Sequence, residues 1–330
     1  MIHQAEVLPW ARTQWQQVMK QHHSGRLPHA LLLAGVAGTG KSAFAETLSN
    51  FLLCHQPGES SPCGHCKSCQ LLAGGNHPDL IHLSPEEPGK PIKVDQIRDL
   101  GNTLHSTAQQ GGYRVVIMNP AEAMNIAAAN ALLKSLEEPG NDTLLLLVSD
   151  RPGQLMPTIR SRCQRIDIPL PDAETACEWL AGRLNGDQTR ARQLLGITRG
   201  SPFKALSLAG GDLMPVRAEL LKGLSDILKN RISPLVLAEK MLKQDTLLIL
   251  DWLQSVLADI VRVQSAQEIA LVNSDMSKML FAVAKNTTAV KIFSMLDHIQ
   301  AERFGMFQRH NLNRQLLLER LFFDWADLVR

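Results

Sequence analysis

The 330-residue sequence contains no run of five or more basic residues, and its net charge is only +2. A protein that binds nucleic acid alone usually carries a basic stripe, so any DNA contact here is expected to be shared with partner subunits. No apolar run reaches the roughly eighteen residues of a bilayer span, so no membrane segment is expected. The opening stretch "MIHQAEVLPWARTQW" has no basic region leading into an apolar core. No secretory signal is expected from it, and the expected compartment is the cytoplasm. Internal repeats and low-complexity segments are also missing. The remaining composition, 45% hydrophobic and 20% charged, is that of a globular protein. The length exceeds one ordinary core and implies two or three domains.

The first half alternates strand and helix patterns. Apolar or β-branched runs at His29–Ala34, Asp79–Leu83, Tyr113–Met118 and Thr143–Ser149 read as strands. Helical patterns run from Ser42 to Leu53, from Val94 with Ile97, Leu100 and Leu104 on one face, and from Ile126 up to Pro139-Gly140. Such alternation predicts an α/β domain whose parallel sheet is covered by helices on both faces. After Ile168 the strand signals stop. Short helical patterns broken at "NGD", "TRGSP" and "AGGD" follow, then longer helices with breaks near Ile232–Pro234, Asn273-Ser274 and Phe304-Gly305. The expected division is an α/β domain over 1–168, a small helical domain over 169–211 and an all-α domain over 212–330.

Gly35-Val36-Ala37-Gly38-Thr39-Gly40-Lys41-Ser42 fits G-x-x-x-x-G-K-[ST] in full, between an apolar strand and a helix. Gly35, Gly38 and Gly40 let backbone N–H groups turn toward phosphates without a Cβ in the way. Thr39 lies within that turn, Lys41 brings positive charge to the β and γ phosphates, and Ser42 offers a hydroxyl to Mg²⁺. The helix begins there with its positive end facing the anion. ATP or ADP is the expected ligand.

Four of the six cysteines, Cys54, Cys63, Cys66 and Cys69, crowd into sixteen residues with spacing C-x8-C-x2-C-x2-C. In a chain with no secretory signal, such crowding points to a metal before disulfides. Four thiolates close a tetrahedral Zn²⁺ site with no open position, so a zinc module at 54–69 is expected to be structural. His55 and His65 are possible substitute ligands. Cys163 and Cys177 read as ordinary buried thiols.

Taken together, the glycine loop, the cysteine cluster after its helix, "ANALLKSLEEP" (Ala129–Pro139), "IKVDQIRDL" (Ile92–Leu100) and "SRC" (Ser161–Cys163) resemble the AAA+ clamp-loader subunits of bacterial DNA polymerase III. The resemblance covers the whole chain and is strongest over His29–Ile168. It implies an AAA+ P-loop module with an inserted zinc knuckle, a helical lid and a helical collar. It also implies a place in a five-subunit ring with gamma/tau and delta subunits, which sets a sliding clamp on primer–template DNA. No membrane partner is implied. By the same resemblance Arg162 is an arginine finger aimed at a neighbour's ATP, a role that suits its fixed positive fork.

An active member of that family follows its third strand with Asp-Glu. Here the positions are Asn119 and Pro120, so Mg²⁺ would be held weakly if at all, and no carboxylate orients the attacking water. Glu122 stands two residues further on, in the expected loop. The family's lid motif G-S-x-R-D reads Gly200-Ser201-Pro202-Phe203-Lys204, with Phe203 at the arginine position. The pattern resembles the delta-prime branch: nucleotide bound but not hydrolysed, no catalysis alone, and a finger lent to a neighbouring ATPase. The competing readings are an active gamma/tau-like or helicase-like AAA+ ATPase, and a zinc-containing DNA-binding protein on a P-loop scaffold.

Overall fold

The computed structural model describes residues 6–87, 89–104, 107–140, 142–211, 213–265, 271–307 and 313–329. The chain divides into two units, Met1–Ala176 with Ser201–Phe203, and Cys177–Gly200 with Lys204–Arg330.

The first unit runs α1 (Arg12–His23), β1 (Ala30–Ala34), α2 (Lys41–Leu52), α3 (Lys67–Ala73), β2 (Leu80–Leu83), α4 (Val94–Leu104), β3 (Arg114–Met118), α5 (Ile126–Glu137), β4 (Thr143–Ser149), α6 (Pro157–Arg160) and β5 (Gln164–Asp167). α7 (Ala173–Ala181) begins in it. The sheet order is β2-β3-β4-β1-β5, all parallel. Every residue of β1, β3 and β4 is buried. That is why these strands read as unbroken apolar runs: a parallel strand with helices on both sides has no wet face. Ala30, Leu32, Ala34, Val116, Met118, Leu145 and Leu147 share a cluster with Ile97, Leu100 and Leu104 of α4 and Ala128, Leu132 and Leu136 of α5. The alternate residues point to the opposite face, where α2 packs on β1 and β4. There Trp15 of α1 meets Phe44 and Phe51 of α2 edge-on, at 5.7 and 6.0 Å between ring centres. This is the parallel α/β core, covered by helices on both faces, that the sequence patterns implied.

Four elements of this unit, α1, α3, α6 and β5, escape the sequence reading. β5 has four residues, buries only Ile166 and carries Gln164, Arg165 and Asp167. It forms because β1 offers it an edge, with Leu31–Ala34 paired to Gln164–Asp167.

The second unit is all-α. It holds most of α7, then α8 (Gln188–Ile197), most of α9 (Pro202–Gly210), α10 (Leu213–Leu228), α11 (Pro234–Met241), α12 (Thr246–Ser265), α13 (Ser277–Asn286), α14 (Ala289–Phe307) and α15 (Arg314–Asp327). α11 packs on α15, and α12 on α13 and α14. The interior is filled by Trp252, Leu253, Ile260, Phe322 and Trp325, and the Trp325 indole donates to Leu224 O at 3.0 Å. Arg217, almost fully buried, donates to Asp275 at 2.6 Å and to Asn273 Oδ1 at 2.6 Å. The expected break at Phe304-Gly305 is wrong. α14 continues through both residues to Phe307, because one helical glycine costs only about 1 kcal/mol and packing outweighs it. Among the described residues no single helix is long and apolar enough to cross a membrane.

Candidate functional site

The glycine loop follows the carboxyl end of β1. β4, and beyond it β3, are the neighbouring strands, so the residues after Ser149 and Met118 come to the same edge as the loop. Ligands of open α/β sheets bind at that edge. The sequence leads to Gly40 at a backbone only glycine accepts easily, with φ +93°. A Cβ there would fall 2.3 Å from Leu8 Cδ1 and 2.6 Å from Phe203 Cε2. Phe203, at the lid position where the family pattern has arginine, is therefore packed on the loop itself.

The loop carbonyls are held by donors from the loop itself and from residues outside it. Val36 O accepts from Thr39 Oγ1 at 3.0 Å and from Lys41 Nζ at 2.7 Å. Ala37 O accepts from Ser201 Oγ at 3.0 Å, Gly38 O from the Phe203 N–H at 3.0 Å, and Thr39 O from the Trp10 indole at 2.8 Å. Thr39 and Lys41 are buried. With its carbonyls occupied by other donors, the loop is braced in one shape, as a phosphate cradle requires.

Two contacts engage the motif's Ser42 hydroxyl and Lys41 ammonium. Asn119 Nδ2 donates to Ser42 Oγ at 3.0 Å. The Ser42 hydroxyl thus faces a neutral amide. Lys41 Nζ pairs with Asp150 Oδ1 at 2.6 Å. Sequence reasoning missed Asp150 altogether. Its only signal was its place directly after a buried parallel strand. Glu122 sits in the turn Ala121–Ala123, where Oε1 accepts the Asp150 N–H at 3.1 Å. It lies beside the site, in the loop where the sequence put it. Lys204 pairs with Asp251 at 3.5 Å.

Arg162 lies between α6 and β5. Nη1 donates to Thr158 O at 3.0 Å and Nη2 to Glu137 Oε1 at 2.6 Å. Glu137 ends α5, in "SLEE", so two of the resembling motifs meet here.

The four clustered cysteines come together. Cys54 follows α2, Cys63 lies in the turn, Cys66 caps α3 and Cys69 is in its first turn. Their Sγ atoms all lie within 4.8 Å of one another, with Cys54–Cys66 and Cys63–Cys69 at 3.9 Å. A tetrahedron of ~2.3 Å Zn–S bonds sets sulfurs ~3.8 Å apart, so the donor set fits. N–H groups of Cys63, Cys66 and Cys69 point at Cys54, Cys63 and Cys66 Sγ at 3.2, 3.3 and 3.4 Å. Burial alone would raise the Cys66 thiol. The N–H groups of Cys69 and His55, with the neighbouring thiols, outweigh it and bring it down to about 6. Burial and the other sulfurs push Cys69 up to about 12. The cluster therefore pairs two thiols shifted down, Cys63 and Cys66, by N–H groups aimed at their sulfurs with two shifted up by burial, Cys54 and Cys69. His65 Nδ1 is bonded to Cys63 O at 2.9 Å and stays outside the sulfur cluster. Cys163 and Cys177 are buried, and burial pushes Cys163 up to about 11.

Below the knuckle, Ser68 Oγ donates to Leu53 O and meets His77 Nε2 at 2.8 Å, while His77 Nδ1 accepts the Asp79 N–H at 3.1 Å. Asp79 also accepts the Gln109 and Gln110 N–H groups at 2.8 Å, and Arg114 lies 3.4 Å away. This buried network fastens α3 to β2 and β3.

Comparison with known proteins agrees with the motifs. The family model described as DNA polymerase III, delta subunit, matches residues 10–172, and the model for that subunit's C-terminal part matches 212–327. The DNA polymerase III subunit delta' of Pseudomonas aeruginosa is 43% identical over 328 residues, 98% of each chain. That of Escherichia coli is 32% identical over 311 residues, 94% of this chain and 92% of the other. A gamma-subunit-related protein of Thermotoga maritima overlays 97% of this chain and all of its own at 19% identity, with a TM-score of 0.48, too low to add weight. On matches that run nearly the full length of both chains, the chain belongs to the delta-prime subunit family of bacterial DNA polymerase III.

Proposed function

We propose that the chain is a clamp-loader subunit that seats a nucleotide without hydrolysing it and acts on a neighbour's ATP through Arg162. The observation that carries this reading is the Asn119–Ser42 contact. Phosphoryl transfer is mostly positioning and charge stabilisation. A neutral amide on the magnesium-binding hydroxyl, and Pro120 beside it, supply neither. Phosphate holding is a separate property. Gly35, Gly38, Thr39, Gly40, Lys41 and Ser42 keep the backbone amides, the ammonium and the start of α2 that provide it.

ATP or ADP is the proposed occupant of the loop, with Mg²⁺ held weakly. Zn²⁺ is the proposed occupant of Cys54, Cys63, Cys66 and Cys69, where it would crosslink the end of α2 to α3. The proposed partners are gamma/tau and delta subunits in a five-membered cytoplasmic ring, and through it the sliding clamp and primer–template DNA. The proposed domain division stays 1–168, 169–211 and 212–330. Reconstitution tests this function: a mixture of the other subunits should load clamps poorly and recover when the chain is added. Equal loading without it would contradict the proposal.

A further inference from the structure

We propose that Asp150 is a built-in stand-in for a terminal phosphate, so that the glycine loop takes a nucleoside diphosphate in preference to a triphosphate. This rests on the reading that the loop seats a nucleotide, and it names which one.

Lys41 is buried. Its side chain is only 3% exposed, and its ammonium has three N–H donors. One goes to Val36 O at 2.7 Å and one to Asp150 Oδ1 at 2.6 Å. A P-loop lysine serves the β and γ phosphate oxygens. A carboxylate oxygen at 2.6 Å stands where one of those oxygens would stand, and it has the same charge sign and acceptor chemistry. The third donor remains for a β-phosphate oxygen.

Asp150 is held there. It directly follows β4, which pairs with β1 in register from Ala30–Leu145 to Ala34–Ser149. Its N–H is fixed on Glu122 Oε1 at 3.1 Å, which brings a second carboxyl group to the same side. The lid residue packed on the loop is Phe203, which offers no positive charge to offset them. A diphosphate leaves the Lys41–Asp150 pair intact and uses the loop amides, the third Lys41 donor and the start of α2. A triphosphate brings its terminal oxygens onto the carboxylate's place. It must then displace Asp150, whose side chain is 41% exposed, from the buried Lys41 ammonium, or accept like charges a few ångströms apart.

Equilibrium binding of ADP and of ATP to the full chain, by calorimetry in EDTA and in Mg²⁺, tests this with wild type, Asp150→Asn and Lys41→Ala. The expected result is ADP binding about tenfold tighter than ATP in the wild type. Asp150→Asn should close that gap mainly by tightening ATP, and Lys41→Ala should weaken both ligands. Asp150→Ser serves as a second neutral variant should the amide fold poorly. Unchanged ADP-to-ATP preference in both neutral variants overturns the role of Asp150 while leaving the nucleotide seat standing. Weaker ATP binding by Asp150→Asn in Mg²⁺ also overturns it, because the carboxylate would then serve the cation. No binding of either nucleotide to wild type or variants, all folded by circular dichroism, removes the seat and the inference with it.

Discussion

Arg162 is bonded to Glu137 at 2.6 Å, through Nη2 and Oε1, across the gap between the end of α5 and the turn after α6. The guanidinium is partly exposed and keeps donors free to reach beyond the chain. Replacing Arg162 by Ala should leave the complex assembled and lower turnover at the one ATP site it faces by about 10³-fold, the size typical of a lost arginine finger. Arg162→Lys should fail to restore it, since an ammonium lacks the planar fork. ATPase assays on complexes checked by gel filtration measure this, and unchanged turnover would remove Arg162 from the chemistry.

The sulfur cluster should hold one zinc per chain. Cys66→Ser removes the ligand that also caps α3, so zinc content should fall toward zero and the melting temperature by about 5 °C or more. Elemental analysis beside thermal unfolding checks both. Wild-type zinc content in the variant would mean the four sulfurs are not the site.

His77 makes the first unit's stability depend on pH. Its Nδ1 accepts an N–H, so the ring is neutral with its proton on Nε2. Burial lowers its pKa most, His55 adds to this, and the Asp79 carboxylate opposes it. The folded pKa lies below the unfolded value of about 6.5. Between the two, the unfolded state binds more protons, so stability rises with pH. The contribution is full above about pH 6.5 and is lost as pH falls toward the folded pKa. Urea midpoints should drop between pH 7 and 5.5 in the wild type and drop less in His77→Gln. Parallel curves would contradict this.

The sequence revealed what is local and what is buried on both sides. β3 and β4 stood out because no residue in them meets water, and the zinc knuckle because its ligands are close in sequence. Ser42, Asn119 and Phe203 could be placed by motif alone. β5 was illegible because its pairing with β1, not its own residues, makes it a strand. Asp150 was illegible for a similar reason: its meeting with Lys41 depends on β4 lying beside β1. The Arg217–Asn273–Asp275 group and the Arg114–Asp79 pair join distant segments and leave no periodic trace. At Gly305 propensity pointed to a break that packing overrides.

A nucleotide seat without turnover is tested by measuring nucleotide binding and hydrolysis by the purified chain side by side. Binding should be saturable and weakened by Lys41→Ala, with ATP turnover no higher in wild type than in that variant. Turnover in the wild type that Lys41→Ala abolishes would contradict it, and would make the chain an ATPase in its own right.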